Sequence, residues 1–183
     1  MMGRRRFFTG IIPTTVWTSI AIRSLSCNAE AKTVEQTSFL ILSTTEAETL
    51  SAWCNVIVTG AGNAGVAQFV DQSLSRAQLA SLLLLRYLDA SDMTGFYRNG
   101  IAGIEKESAH RFAQPFVQLT KSQQTEMIAD AVASKMQVWS DPDPNFFYFI
   151  SRSDAVDVVY GTEAGFVDLG IPYLAHITPP QPW

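Results

Sequence analysis

Residues 56–66 read VIVTGAGNAGV. Gly60, Gly62 and Gly65 stand in the G-x-G-x-x-G spacing of a dinucleotide-binding turn, where a strand runs into the glycines and a helix leaves them. The fold therefore hangs on whether residues 56–58 are a strand. Upstream, Thr45 and Glu48 fit the S/T-x-x-E pattern of a helix capping box. From there apolar residues fall at Leu50, Trp53, Cys54, Ile57 and Val58, which is helical spacing and not strand alternation. The spacing makes residues 56–58 the last turn of a helix, with Gly60 as its stop. Downstream, Val66, Phe69, Val70 and Leu74 repeat the helical period. Residues 79–88 are Leu-rich, a composition that favours helix over strand. Asp89 lies at the distance of a ribose-binding acid, but the strand it should follow is missing. The glycines are expected to join two helices, their lack of Cβ allowing close approach.

The rest of the body extends the helical pattern. Residues 93–112 carry Tyr97, Ile101, Ile104 and Phe112 on one side, with Glu105, Lys106 and Glu107 as the solvated face. Gly100 and Gly103 are costly inside a helix and mark a close contact or a break. His110 reads as a surface or packing residue. Another helix opens after Thr120 or Ser122 and continues through Met127, Ile128 and Val132. Asp141-Pro142-Asp143-Pro144-Asn145 is a turn, and Asn145 is placed to cap a helix beginning Phe146-Phe147-Tyr148-Phe149-Ile150. Four aromatics in a row cannot all face one core, so part of that run is expected to meet a second layer or another chain. The fold class is all-α: a helical domain over residues 32–159.

Both ends differ from this body. Residues 1–31 have a basic start, about sixteen mildly apolar residues too few to span a bilayer comfortably, and an Ala29-Glu30-Ala31 cleavage pattern. Arg4, Arg5, Phe7 and Phe8 match the twin-arginine export signal, and Arg23 follows the weakly apolar stretch, as is usual on that route. Ser24-Leu25-Ser26-Cys27 faintly resembles a lipoprotein box. Residues 160–183 are rich in Gly, Pro and aromatics. They are read as an extended docking arm in which Tyr160, Gly161, Phe166, Tyr173, His176 and Trp183, together with Phe146 and Phe147, are the candidate partner contacts; the alternative is a tail folded back on the chain's own helices.

Composition removes several functions. The chain holds 13 Lys and Arg against 17 Asp and Glu. Four Arg and one Glu lie in residues 1–31, which leaves 9 against 16, a net of −7, for the remainder. Such a body is a poor ligand for nucleic acid or an anionic membrane. With two Cys, two His and no CxxC there is no zinc, iron–sulfur or covalent haem motif. No serine triad motif or carboxylate pair stands out either, so catalysis by this chain alone is not expected.

In order along the chain, Phe39-Leu40, Glu46-Ala47-Glu48-Thr49-Leu50, the residues 64–71, Tyr97-Arg98-Asn99-Gly100-Ile101, the residues 112–116, Leu119-Thr120-Lys121-Ser122-Gln123-Gln124, the residues 146–150 and Tyr160-Gly161 form a pattern. It resembles the gluconate 2-dehydrogenase subunit 3 family over roughly residues 39–183. The Ile-Ile-Pro usual after that family's first helix is replaced by Ile57-Val58-Thr59. The resemblance implies a non-catalytic small subunit with no cofactor of its own. Its partner would be a large flavoprotein dehydrogenase of the glucose–methanol–choline type, which carries FAD. A c-type cytochrome subunit with haem often accompanies that enzyme. The small subunit would escort the large one through the twin-arginine translocase and stabilise it. It implies a periplasmic or exported location, with any membrane association coming through the complex. The alternative reading of the residues is a stand-alone helical periplasmic or lipid-anchored binding protein.

Overall fold

The computed structural model of the chain describes residues 39–172. The first helix, α1 (Thr44–Ile57), is opened by a reciprocal cap. The Ser43 hydroxyl accepts from the Glu46 N–H at 3.2 Å, and Glu46 Oε2 accepts from the Ser43 N–H at 2.7 Å. The box thus sits two residues before the expected Thr45 and Glu48. Residues 56–58 are, as expected, the end of α1, and the Val58 N–H still donates to the Cys54 carbonyl. No strand occurs among the described residues.

The glycine stretch turns the chain from α1 into α2 (Val66–Leu74). Its glycines serve a different purpose from the one expected. Gly60 and Gly65 have φ of +93° and +86°, the left-handed region open to glycine at little cost. A Cβ on Gly60 would meet nothing within 4 Å, so handedness, not close approach, requires glycine there. The Asn55 side chain then accepts from the Gly60 N–H at 3.0 Å and fixes the turn.

Residues 79–88 correct the sequence reading outright. They form two short 3-10 turns, Gln78–Ala80 and Leu84–Leu88, and no α-helix. Ser81, Leu83 and Leu85 are buried while Leu79, Leu82 and Leu88 are exposed. Burial at every second residue suits an extended backbone and cannot be met by a helix. The Ser81 hydroxyl accepts from the Leu83 N–H and supplies the local alternative.

The long helix α3 (Met93–Phe112) is capped by Asp92 and buries Tyr97, Ile101 and Ile104, as its periodicity predicts. Gly100 and Gly103 mark close contacts: a Cβ at either position would overlap the Phe147 ring or the Trp139 indole. Glu107, assigned above to the solvated face, is completely buried. Its carboxylate accepts from the backbone N–H groups of Gln137, Val138 and Trp139 at 2.9–3.2 Å. Asp71 of α2 does the same for Leu40, Ile41 and Leu42, each at 2.8 Å. Both carboxylates stitch an irregular segment to a helix by satisfying backbone donors that burial would otherwise orphan.

A capping box of Thr120 and Gln123 starts α4 (Lys121–Val132). The last long helix, α5 (Pro144–Tyr160), is capped by Asp143, with Pro144 in its first turn, not by Asn145. Asn145 instead donates to the Val132 carbonyl at 2.5 Å. The helix α6 (Glu163–Asp168) follows after Thr162 and packs on α5. Over these six residues the expected extended arm is therefore helical.

At the centre, α1 touches α2, α3, α4 and α5. Trp53 is fully buried, with the rings of Phe116, Trp139 and Phe147 at centroid distances of 5.6, 5.8 and 6.3 Å. Its indole N–H donates to the Ser151 hydroxyl at 3.0 Å, and Ser151 donates to the Phe147 carbonyl at 2.8 Å. The seam between α1 and α5 is thus both aromatic and hydrogen-bonded.

Candidate functional site

The outer face of α5 is built by sequence spacing. Phe146, Phe149, Ser153, Val156 and Tyr160 follow one another at intervals of three and four residues. At 100° per residue they share an arc of about 80°. Phe146, Phe149, Val156 and Tyr160 are 38, 46, 39 and 38 % exposed. Water-facing aromatics in one file on one helix are uncommon for a surface with no further partner. The edges of the file are charged, Arg152 along one side and Asp157 along the other. Partial burial raises the Asp157 carboxyl above its ordinary pKa.

The file continues onto a second surface. Asp157 and Val158 line a groove of about 610 Å³ together with Ala64 and Phe69 near the glycine turn and Leu82 from the 3-10 segment. Leu79 is 90 % and Leu82 56 % exposed beside it. Those leucines were expected to be helical; Leu79 lies in a 3-10 turn and Leu82 in the link after it, and both are exposed.

Of the expected contacts, Phe146, Tyr160 and Gly161 lie exposed on or at the end of this face, and Phe166 is half-buried on α6. Phe147 is a correction. It is fully buried, over Gly100, with the rings of Phe96 and Trp139 at 5.5 and 5.6 Å, so it belongs to the core. Tyr173, His176 and Trp183, and the signal residues Arg4, Arg5, Phe7 and Phe8, lie outside the described residues.

Beneath the outer face lies a buried polar group that sequence reasoning missed. Asp154, on the inner side of α5, accepts from the Tyr97 hydroxyl at 2.6 Å. Burial raises its carboxyl to a pKa of about 7, the Tyr97 hydrogen bond opposes that rise, and the charge of Asp157 adds to it. Burial, and then Asp154, push the Cys54 thiol and the Tyr97 phenol well above their ordinary values. Cys54 therefore stays a thiol and is no nucleophile. Phase held the clue: Asp154 falls four residues after Ile150 and three after Ser151, on their buried side.

The glycine turn follows a helix, so the strand that aims a dinucleotide at the next helix is absent. Among the described residues no three His, Cys, Asp or Glu side chains are grouped to hold a metal ion. No described helix is long and apolar enough to cross a membrane.

The described residues form an all-α body whose last long helix carries an exposed apolar file. The family model of gluconate 2-dehydrogenase subunit 3 matches residues 29–175, and the chain belongs to that family. Membership implies association with a dehydrogenase complex as an accessory subunit. No curated protein and no solved structure matches the chain.

Proposed function

We propose that this chain is the non-catalytic small subunit of a periplasmic, FAD-dependent sugar or sugar-acid dehydrogenase. It docks through the outer face of α5 onto a flavoprotein of the glucose–methanol–choline type. It stabilises that subunit and takes it out of the cytoplasm on its own twin-arginine signal. The flavin and the chemistry reside in the large subunit, and a c-type cytochrome accepts the electrons. The observation that carries this reading is the exposed file Phe146, Phe149, Val156 and Tyr160 in a member of a dehydrogenase-subunit family. The spacing of Arg4, Arg5, Phe7 and Phe8 supports the export role.

Co-expression with the flavoprotein dehydrogenase subunit of the same organism tests it. The expected result is co-purification of the two chains and periplasmic dehydrogenase activity. Arg4→Lys with Arg5→Lys should strand both chains in the cytoplasm. A flavoprotein that reaches the periplasm fully active without this chain would overturn the escort role, and failure of the chains to co-purify would overturn the docking role.

A further inference from the structure

The outer file of α5 has the spacing of two heptads, with Phe146, Ser153 and Tyr160 at one seam position and Phe149 and Val156 at the other. In that frame Arg152 and Asp157 occupy the two flanking positions that face a partner helix. They stand five residues apart, about 7.5 Å along the axis and on opposite edges of the file. The ion pairs among the described residues join Arg98 to Glu46 and Arg111 to Glu126 and Asp130. Neither Arg152 nor Asp157 has a side-chain hydrogen bond or ion pair there. Two unpaired opposite charges bracketing an apolar file are an asymmetric address, because they distinguish one direction of a partner from the reverse.

We propose that the flavoprotein subunit covers α5 with an amphipathic helix carrying an acidic residue against Arg152 and a basic residue against Asp157. The inference rests on the docking reading above and names the chemistry of the partner. A bulky apolar side chain of that helix reaches the groove beside Asp157, where Phe69, Leu82 and Val158 form an apolar wall. A second copy of this chain is the poorer occupant. Antiparallel self-pairing sets like edge against like edge, Arg152 beside Arg152. Parallel self-pairing satisfies the charges but places Ser153 against Ser153 in the middle of the seam.

Three variants of the full chain decide the matter: Arg152→Glu, Asp157→Lys and the double exchange. Each is titrated onto the purified flavoprotein subunit at low and at high salt, and the mass of each variant alone is measured by light scattering. Arg152→Glu is at an exposed site and should melt at the wild-type temperature, and Asp157→Lys should melt at or above it, because a cation replaces the like charge that raises the Asp154 carboxyl. Each single exchange is expected to weaken binding about tenfold at low salt and much less at high salt. The double exchange should bind no better than either single one. Single variants that bind as wild type would overturn the inference. A dimer of the chain alone, broken by each single exchange and restored by the double one, would give the face to a second copy and overturn it too. If the wild-type chain does not bind the flavoprotein subunit, the docking reading itself falls, and that result is separate from the other two.

Discussion

Phe147 and Phe149 stand two residues apart on α5, one sealed in the core and the other 46 % exposed. Composition treats them alike, and the neighbouring helices decide between them. On the inner side α3 offers Gly100, whose missing side chain leaves room for the Phe147 ring. On the outer side nothing described covers Phe149. The inner face is a packed interior that tolerates little change, whereas the outer face is the one proposed for a contact. Substitution on the inner face should act on folding, and on the outer face on association.

The largest effect belongs to Phe147→Ala. The ring is fully buried among Trp53, Phe96, Tyr97 and Trp139, and its loss leaves a cavity that Gly100 cannot fill. A destabilisation of about 3–5 kcal/mol is expected by urea unfolding. A cost near zero would mean that the core closes over the gap, and would erase the distinction between the two faces.

The second test concerns Asp154, which makes the inner face sensitive to pH. Its carboxyl titrates near pH 7 when folded and near its ordinary value of 3.8 when unfolded. Between those values the folded state holds the extra proton. Stability from this site is therefore full below about pH 4 and is lost as pH rises through 7. The shift bounds the loss at about 4 kcal/mol. The groups facing Asp154 are Tyr97 on α3, Cys54 on α1 and Asp157 on α5 itself, and none of them is a cation. Asp154→Asn should flatten this part of the profile, unfolding like wild type near pH 4 and at higher urea than wild type near pH 8. An Asn variant that follows the wild-type curve throughout would show that Asp154 does not carry the dependence.

Much of the frame was legible without coordinates. Helical spacing placed α1, α2, α3 and α4, the turn and cap signals before Phe146 placed α5, and the glycine stretch was settled as an interhelical turn. The errors have physical sources. Ser43-x-x-Glu46 and Thr45-x-x-Glu48 both satisfy the capping pattern, and only tertiary packing selects the first. The Leu-rich segment has helical composition, but its burial alternates by two because Ser81 and Leu83 lie extended between two 3-10 turns. The partners of Glu107 and Asp154 were invisible for a common reason: they come from other parts of the chain, 30 to 32 residues on for Glu107 and 57 away for Asp154. The aromatic run announced that one side must face outward, while the choice of Phe147 for the interior was written in Gly100 of another helix.

Glu107 gives an intermediate effect and sharpens the contrast with Asp154. It accepts three backbone N–H groups where Asp154 accepts one hydroxyl. Glu107→Gln keeps the shape but replaces one acceptor oxygen by a donor, which then faces backbone N–H groups. A loss of about 1–3 kcal/mol is expected, with faster amide exchange confined to residues 137–139. If exchange accelerates throughout the domain instead, the carboxylate holds the whole core and not one loop.

The smallest effect on folding, and the largest on association, should come from Phe149→Ser. Its ring lies on the side of α5 away from the Trp53 cluster, so truncation removes partly hydrated surface and opens no cavity. Surface changes of this kind stay within about 0.5 kcal/mol. The same substitution takes an aromatic from the centre of the proposed contact, where truncation of an anchor typically costs 2 kcal/mol or more in binding, roughly thirtyfold. An unfolding midpoint that stays fixed while the affinity for the flavoprotein subunit collapses would separate the two faces of one helix in a single variant. A midpoint that falls as far as that of Phe147→Ala would show that Phe149 is packed within this chain, and that α5 has no face to spare for a partner.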